Sequence, residues 1–510
     1  MEPTAAVSQP NYSEQELIRR KKLQALAEQG LSPYDITSYP VSHASRDIIN
    51  RFDDMEGAHV SIAGRMMTRR IMGKASFAHI LDHQGEIQVY IKREEVGEDV
   101  YEAFRGMDIG DIIGFAGKVF KTRTGEVSVH ADSLLLLSKC LKPLPEKYHG
   151  LTDPDLRYRQ RYVDMVVNPE VRDVFIKRTK IIAAIRTFLN ERGFLEVDTP
   201  ILHTSESGAA ARPFITHINA LSIDMYLRIE LELYLKRLIV GGFDKVYEIG
   251  RIFRNEGMDA THNPEFTMVE LYQAYVDYHE MMRIIEDMFC YIARELTGGE
   301  TITYQGQEIC LKAPWKRMSM ADAVKQYSGV DYFAWKTPED AQATLKALGV
   351  HHEPGATRGD CLAALFDEYV EKHLIQPTFI IDYPVDISPL AKRKKDNPDL
   401  TERFEAFICA SEFGNAFSEL NDPVDQRERF VRQVQERHAQ GALTARVDDD
   451  FVNALEYGMP PTGGMGIGVD RAIMLFTDSA SIRDVLLFPT MKPIGLPRRG
   501  NQDEPIEEML

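Results

Sequence analysis

The stretch VYEIGRIFRNEGMDATHNPEFTMVELYQAY (Val246–Tyr275) decides how the larger part of this chain folds. Apolar and polar residues alternate from Val246 into Arg254, the period-two pattern of a strand. Turn-forming residues 255–263 follow, and then a second β-like run through Glu270 and Tyr272, so the stretch predicts a hairpin. Such a hairpin projects Arg254, Glu256 and His262 into a common pocket. Arginine, histidine and carboxylate converging on one place suit a nucleoside triphosphate together with a charged small molecule. Phe266, Glu270 and Tyr272 lie an even number of residues apart, on one strand face, where a ligand explains them better than a core does.

Two clusters further along point to the same pocket. In LTERFEAFICASEFGNAFSELND (Leu400–Asp422), Glu405 and Glu412 could hold a divalent cation, and Asn415, Phe417 and Glu419 again share one strand face. In GMPPTGGMGIGVDRAIMLF (Gly458–Phe476), glycines 463, 464, 466 and 468 permit close backbone approach to a ligand, and Arg471 opens a helical pattern. The glycine spacing fits neither GxGxxG nor GxxxxGK[ST], and the chain contains no HExxH or GxSxG. Common dehydrogenase, kinase, metalloprotease and serine-hydrolase readings therefore lose their usual supports.

Toward the N-terminus, residues 58–138 fall into five β-like runs with a helical segment near Val96–Phe104 after the third. That order predicts an OB-fold, a small Greek-key barrel that often binds oligonucleotides. Its first three strands carry Arg65, Arg69, Arg70, Lys74, Phe77 and Gln88, an aromatic and cationic set suited to single-stranded nucleic acid. Phe77 is open to two readings, a stacking platform or barrel core. Before the barrel, Ser13–Gln29 predicts one helix, opened by a Ser13/Glu16 capping box and closed at Gly30. Its basic cluster Arg19, Arg20, Lys21 and Lys22 fits phosphate contact and a solvated face equally well.

After the barrel come a polar, proline-bearing connector and a helical pattern at Val171–Arg192, followed by an α+β pattern with a motif-poor insertion at about 295–375. The expected organisation is an extension (1–57), the barrel (58–140), a connector (141–165), one large domain (166–496) and a tail (497–510).

Composition bounds the rest. Lys and Arg number 60 against 78 Asp and Glu, a formal charge of −18, which excludes a protein held to nucleic acid by bulk charge. The first 150 residues are nearly balanced, so a polyanion would land there. Five scattered cysteines with no CxxC pair predict neither a disulfide framework nor a structural zinc site. With no signal-peptide pattern at Met1–Thr4 and no apolar run of about 20 residues, a cytoplasmic protein without membrane association is expected.

Taken together, the clusters and the helical pattern at Val171–Arg192 resemble motifs 1, 2 and 3 of the class II aminoacyl-tRNA synthetases. The helix Val171–Arg192 is similar to motif 1, Phe253–Thr267 to motif 2 and Gly463–Arg471 to motif 3. An N-terminal OB-fold marks the subgroup for lysine, aspartate and asparagine. RMMTRRIMGKASF, ARPFITH, LYLKRLIVGGFDKVYEIGR, HNPEFTMVELY, NAFSELND and IRDVLLFP resemble the bacterial-type lysyl family, from about residue 13 to 495. The resemblance implies an OB-fold barrel plus a catalytic domain built on an antiparallel sheet flanked by helices. It also implies ATP-dependent joining of L-lysine to tRNA(Lys), Mg²⁺ and a homodimer formed through motif 1.

By the same resemblance, Arg254 and Arg471 are the catalytic pair. The ATP site takes Arg254, Glu256, His262, Asn263, Phe266, Glu412, Gly468 and Arg471, with adenine between Phe266 and Arg471. Lysine falls to Gly208, Glu232, Arg254, Glu270, Tyr272, Asn415, Phe417 and Glu419, and Mg²⁺ to Glu405 and Glu412. Arg69, Arg70, Phe77 and Gln88 fall to the anticodon. A pocket of two carboxylates and a phenol leaves buried charge unpaired when a neutral amino acid enters, and repels aspartate. The chain departs from the family at Ser205-Glu206-Ser207, where Ile-Pro-Gly is usual, at Glu230-Leu231 for Ala-Pro, and at Ser411 for a basic residue. Glu230 either adds charge to the α-amino end or points outward. A catalytically silent paralogue and a protein-lysylating relative are the competing readings. Loss of Arg254, Glu412 or Arg471 would favour the first, and loss of the barrel the second.

Overall fold

The computed structural model describes residues 11–145, 151–204, 211–439 and 446–494. The chain divides into two compact units at 152/153.

In the first unit the helix Glu14–Glu28 starts at the Ser13/Glu16 capping box, and Gly30 follows it in the left-handed region at φ 70°. Arg19 is buried and donates to the carbonyls of Ile109 and Cys140, and Lys22 Nζ meets Asp108 at 2.7 Å. Two of the four basic residues thus fasten this helix to the barrel, which corrects the choice between phosphate contact and solvated face.

The barrel strands are β1 (His59–Met72), β2 (Ala75–Leu81), β3 (Glu86–Lys92), β4 (Ile112–Lys121) and β5 (Val127–Ser138), closed in the order β1-β2-β3-β5-β4. Helices Arg93–Val96 and Glu98–Gly106 sit between β3 and β4, as the OB-fold reading expects. Alternate residues such as Ile62, Met66, Ala78, Ile80, Val89 and Phe115 fill the interior.

The second unit opens with helices Pro154–Arg159 and Arg161–Val167, inside the stretch expected to be connector. They belong here because the buried Arg161 pairs with Asp164 at 2.9 Å and donates to the Arg483 carbonyl at 2.7 Å. Short strands β6 (Leu195–Glu196), β7 (Leu202–His203), β8 (Ile215–Ile218) and β9 (Ile223–Leu227) lead to β10 (Lys245–Phe253) and β11 (Glu265–Ala274). Then come a small hairpin, β12 (Thr301–Tyr304) and β13 (Gln307–Cys310), and β14 (Lys316–Ser319) and β15 (Thr378–Ile381). The last are β16 (Arg403–Ile408), β17 (Ser411–Ser418) and β18 (Thr462–Gly468).

Eight strands form one sheet in the order β14-β15-β16-β17-β18-β11-β10-β6, antiparallel from β15 to β10 and parallel at both ends. Helices Pro169–Glu191 and Tyr278–Thr297 contribute Ile185, Phe188, Ile285 and Phe289 to the core that also holds Val269, Ala416 and Ile467 of the sheet. The insertion has its own core around Val324, Leu345, Leu362 and Phe366, yet its β14 extends the main sheet beside β15. All five cysteines are free, and no described helix is long and apolar enough to cross a membrane.

Candidate active site

A cavity of about 460 Å³ opens over the middle of the large sheet. The β10–β11 hairpin pairs from Lys245↔Gln273 to Phe253↔Glu265, leaving 254–264 as the loop that carries Arg254, Glu256, His262 and Asn263 to the rim. On the floor, register decides what faces the ligand. Glu270 lies opposite Gly466 and Tyr272 opposite Gly464, and β17 places Asn415 and Phe417 against the same two glycines. Each row of three strands therefore presents side chains at its flanks and bare backbone at its centre.

A Cβ on Gly464 would lie 2.0 Å from Glu419 Oε1 and 2.4 Å from the Tyr272 ring. Gly464→Ala is accordingly expected to lower kcat/KM by about a hundredfold, because displaced positioning groups cost that much. Steady-state kinetics of the folded variant check this, and a loss below threefold would contradict the tight floor.

One end of the cavity is acidic. Glu270 accepts from the Leu231 amide at 3.2 Å and from the Tyr272 hydroxyl at 3.0 Å. Burial, reinforced by the neighbouring Glu232 charge, pushes its carboxyl up to about 7. Behind it the fully buried Lys236 bridges Glu232 and Glu419, with Nζ 5.4 Å from the Phe417 ring centre. Burial opposes the Lys236 charge, but the two carboxylates outweigh it and hold its pKa above the usual lysine range.

The other end is cationic. Arg471 donates to the Glu412 carbonyl at 2.9 Å and reaches His262 Nε2 at 3.1 Å. Arg254 sits 5.3 Å from the Phe266 ring centre, with its Nε 3.4 Å from the Ile229 carbonyl. Asp470, next to Arg471, is buried; it accepts from the Thr267 amide at 2.7 Å and from Arg178 at 2.5 Å. It thereby joins the helix Pro169–Glu191, β11 and the helix Val469–Thr477.

An adjoining cavity of about 550 Å³ shares Thr261, His262, Glu412 and Arg471 with the first and adds Glu405. Burial, with the like charge of Glu405, pushes Glu412 up to about 7. Two carboxylates repelling one another across a cavity are a donor set that suits a hard divalent cation. Among the described residues no group of three or more His, Cys, Asp or Glu could hold a metal ion, so such a cation would need phosphate oxygens as well.

On the barrel, Arg70, Phe77, Tyr90 and His130 fall in register across β1, β2, β3 and β5. Ring centres lie 4.7 Å apart for Phe77 and Tyr90 and 4.9 Å apart for Tyr90 and His130, and Phe120 adds a fourth ring 5.8 Å from His130.

Comparison with known proteins agrees with this architecture. The profile for class II tRNA synthetases of the D, K and N group matches residues 153–492, and that for the OB-fold nucleic acid binding domain matches 60–137. The lysine–tRNA ligase of Thermoanaerobacter pseudethanolicus is 60% identical over 476 residues, covering 93% of this chain and 95% of that relative. The chain belongs to the lysine–tRNA ligases of class II. Other lysine–tRNA ligases agree, from Moorella thermoacetica at 58% identity (93% of this chain, 97% of the relative) and Clostridium perfringens at 55% (95% and 98%).

For this ligase the structure brings most of the expected site residues together. Arg254, Glu256, His262, Asn263, Phe266, Glu412, Gly468 and Arg471 line the main cavity with Glu232, Glu270, Tyr272, Asn415 and Phe417. Several are already engaged. The Asn263 amide donates to the Glu265 carbonyl at 2.7 Å and so also closes the loop. Glu405 accepts from Tyr383 at 2.8 Å and from Arg403 at 2.6 Å. Glu419 lies behind the floor against Lys236, not on the open surface. Gly208 and Ser205-Glu206-Ser207 lie outside the described residues.

In the barrel of the ligase, Arg69 needs correction: its guanidinium donates to the Phe104, Arg105 and Met107 carbonyls, tying down a helix end. Arg65 likewise donates to the Gly110 carbonyl at 2.7 Å. Gln88 is largely committed to Glu126 and Ser128, at 2.7 and 2.9 Å. Phe77 is half-buried on the outer face and outside the barrel core, which removes the core reading. Sequence reasoning missed Lys236, Tyr90 and His130. Lys236 had a signal, four residues after Glu232 in a mostly apolar helix.

Proposed function

We propose that this ligase activates L-lysine with ATP and Mg²⁺ to lysyl-adenylate, releasing pyrophosphate, and then passes lysine to the terminal ribose hydroxyl of tRNA(Lys). The observation that carries the reading is one cavity with a carboxylate end at Glu232, Glu270 and Tyr272 and a cationic end at Arg254 and Arg471. Lysine has the complementary polarity, two ammonium groups and one carboxylate. The carboxylate must attack the α-phosphorus of ATP, and both reactants are anions. Arg254 is the part of the cationic end whose charge reaches Glu270 as well as Glu412, where it holds the carboxylate and the phosphate in line. Arg471 and Phe266 take opposite faces of the adenine, and Glu256, His262 and Asn263 order the loop over the nucleotide. Glu405 and Glu412 would hold Mg²⁺, which supplies charge neutralisation on the phosphates when bound. A silent paralogue is disfavoured, since Arg254, Glu412 and Arg471 all line the cavity.

Arg70, Phe77 and the rings beside it stack anticodon bases, with Gln88 at their margin. The helix Pro169–Glu191 supplies the homodimer contact, and the enzyme works in the cytoplasm. Phe77→Ala should lower tRNA lysylation by about tenfold or more while leaving lysine activation within twofold, since stacking is worth ~1–3 kcal/mol per base. Equal loss of both activities would remove the anticodon assignment.

Pyrophosphate exchange into ATP, run with each of the twenty amino acids, Mg²⁺ and no tRNA, tests the reading. Exchange with lysine alone is expected; exchange with none, or with another amino acid, would overturn it. Acidity adds a second check. Glu270 binds an ammonium only as a carboxylate, and burial raises it to about 7, so protonation competes as pH falls through 7. The lysine KM should rise about tenfold from pH 8 to pH 6 at saturating Mg²⁺. A flat profile would place the ammonium elsewhere.

A further inference from the structure

Glu230 stands at the entrance to the helix Glu232–Val240 and lines the main cavity, yet only 5% of it is exposed. Its Oε2 accepts from the Leu233 amide at 3.1 Å, which fixes the carboxyl at the helix start. Its Oε1 is sealed from solvent and has no hydrogen-bond partner among the described residues. A buried carboxyl oxygen without a donor keeps its desolvation penalty, so a donor arriving through the cavity removes a standing cost. The other groups around it leave that place open. Lys236 is engaged with Glu232 and Glu419, and Tyr272 and the Leu231 amide are engaged with Glu270.

We propose that Glu230 is a specificity-determining residue of the amino-acid site, whose free Oε1 accepts a hydrogen bond from an ammonium group of the bound substrate. The inference rests on the lysine reading above and goes beyond it, because it adds a carboxylate to the set that the resemblance implies. Charge counting agrees. Glu230, Glu232, Glu270 and Glu419 face one internal cation, Lys236, with Arg254 beyond them toward the nucleotide end. The two ammonium groups of lysine bring the local cations to three against four carboxylates.

The empty pocket must therefore keep a proton. Burial, with the charges of Glu270 and Glu232 added to it, drives Glu230 well above the usual carboxylate range. Glu232 and Lys236 face it from the helix it precedes, and Glu270 and Tyr272 from β11. When an ammonium arrives, the proton leaves Glu230 for the buffer and the carboxylate takes the substrate's N–H in its place. With glutamine there the position has no proton to give, and at pH 8 Glu270, pushed up only to about 7, is already a carboxylate, so the release disappears.

Calorimetric titration of the full chain with L-lysine at pH 8, where Glu270 is already ionised, in two buffers of different ionisation enthalpy, reads that proton directly. Wild-type enzyme is expected to release a proton and Glu230→Gln to lose the release. In pyrophosphate exchange the variant's lysine KM should rise at least about tenfold with its ATP KM within twofold. The ATP value reports that the variant folds, and the wild-type proton count needs no variant. No release by wild-type enzyme, or an unmoved lysine KM in both Glu230→Gln and Glu230→Ala, would overturn the role of Glu230 alone. Absence of lysine-dependent exchange by wild-type enzyme would instead overturn the lysine reading, and this inference with it.

Discussion

Arg254→Ala is expected to lower lysine-dependent pyrophosphate exchange by about a thousandfold, with kcat and kcat/KM falling together. The size follows from position. Arg254 acts on both Glu270 at the acidic end and Glu412 beside Arg471, with its Nε against the Ile229 carbonyl and its guanidinium beside Phe266. That leaves its terminal N–H groups for two anions that must meet. Removing a preorganised donor to a developing negative charge costs about 10²–10³, and here the lost group also overcomes repulsion between the reactants. Arg254→Lys should recover little, because an ammonium cannot offer two parallel N–H groups to a carboxylate and a phosphate. A loss smaller than tenfold in Arg254→Ala would remove this residue from the centre of the reaction.

The second large effect is on stability. Lys236→Met should destabilise the unit around the large sheet by about 3–5 kcal/mol, because it leaves Glu232 and Glu419 facing each other without their shared cation. Methionine keeps the length and apolar stem, so lost packing explains little of that cost. Thermal melting of wild type, Lys236→Met and the double variant with Glu419→Gln separates the causes. The double variant should regain much of the loss, since the second change removes the orphaned charge. Equal melting temperatures for wild type and Lys236→Met would show that the buried ammonium contributes nothing to folding.

What was legible in the sequence was whatever is written locally. The hairpin around Arg254 could be read because period-two alternation and a turn of nine residues sit next to each other in the chain. The capping box at Ser13 and the order of the barrel strands were local in the same sense. Lys236 was harder, since its second partner, Glu419, is distant in sequence and only the three-dimensional fold brings them together. Tyr90 and His130 join Phe77 through cross-strand register, which alternation within one strand does not specify. Arg69 misled for a related reason. It precedes Arg70, so the pleat turns it to the other face, where helix-end carbonyls take its hydrogens. The strand β14 extends the main sheet from inside the insertion because β15 has an edge to pair, a fact of topology and not of composition.

The bare centre of the cavity floor bears on how this scaffold can be altered. With Gly464 and Gly466 supplying only backbone, the depth of the pocket is set by the main chain and its selectivity by the two neighbouring strands. Any new appetite for a different amino acid must then be written on β11 and β17, in the flanking pairs Glu270/Asn415 and Tyr272/Phe417, and at Glu230 beside them. The central strand stays blank so that its neighbours can vary. A library confined to those four positions and Glu230 would sample the chemistry of the pocket while leaving its foundation, and the nucleotide end, as they are.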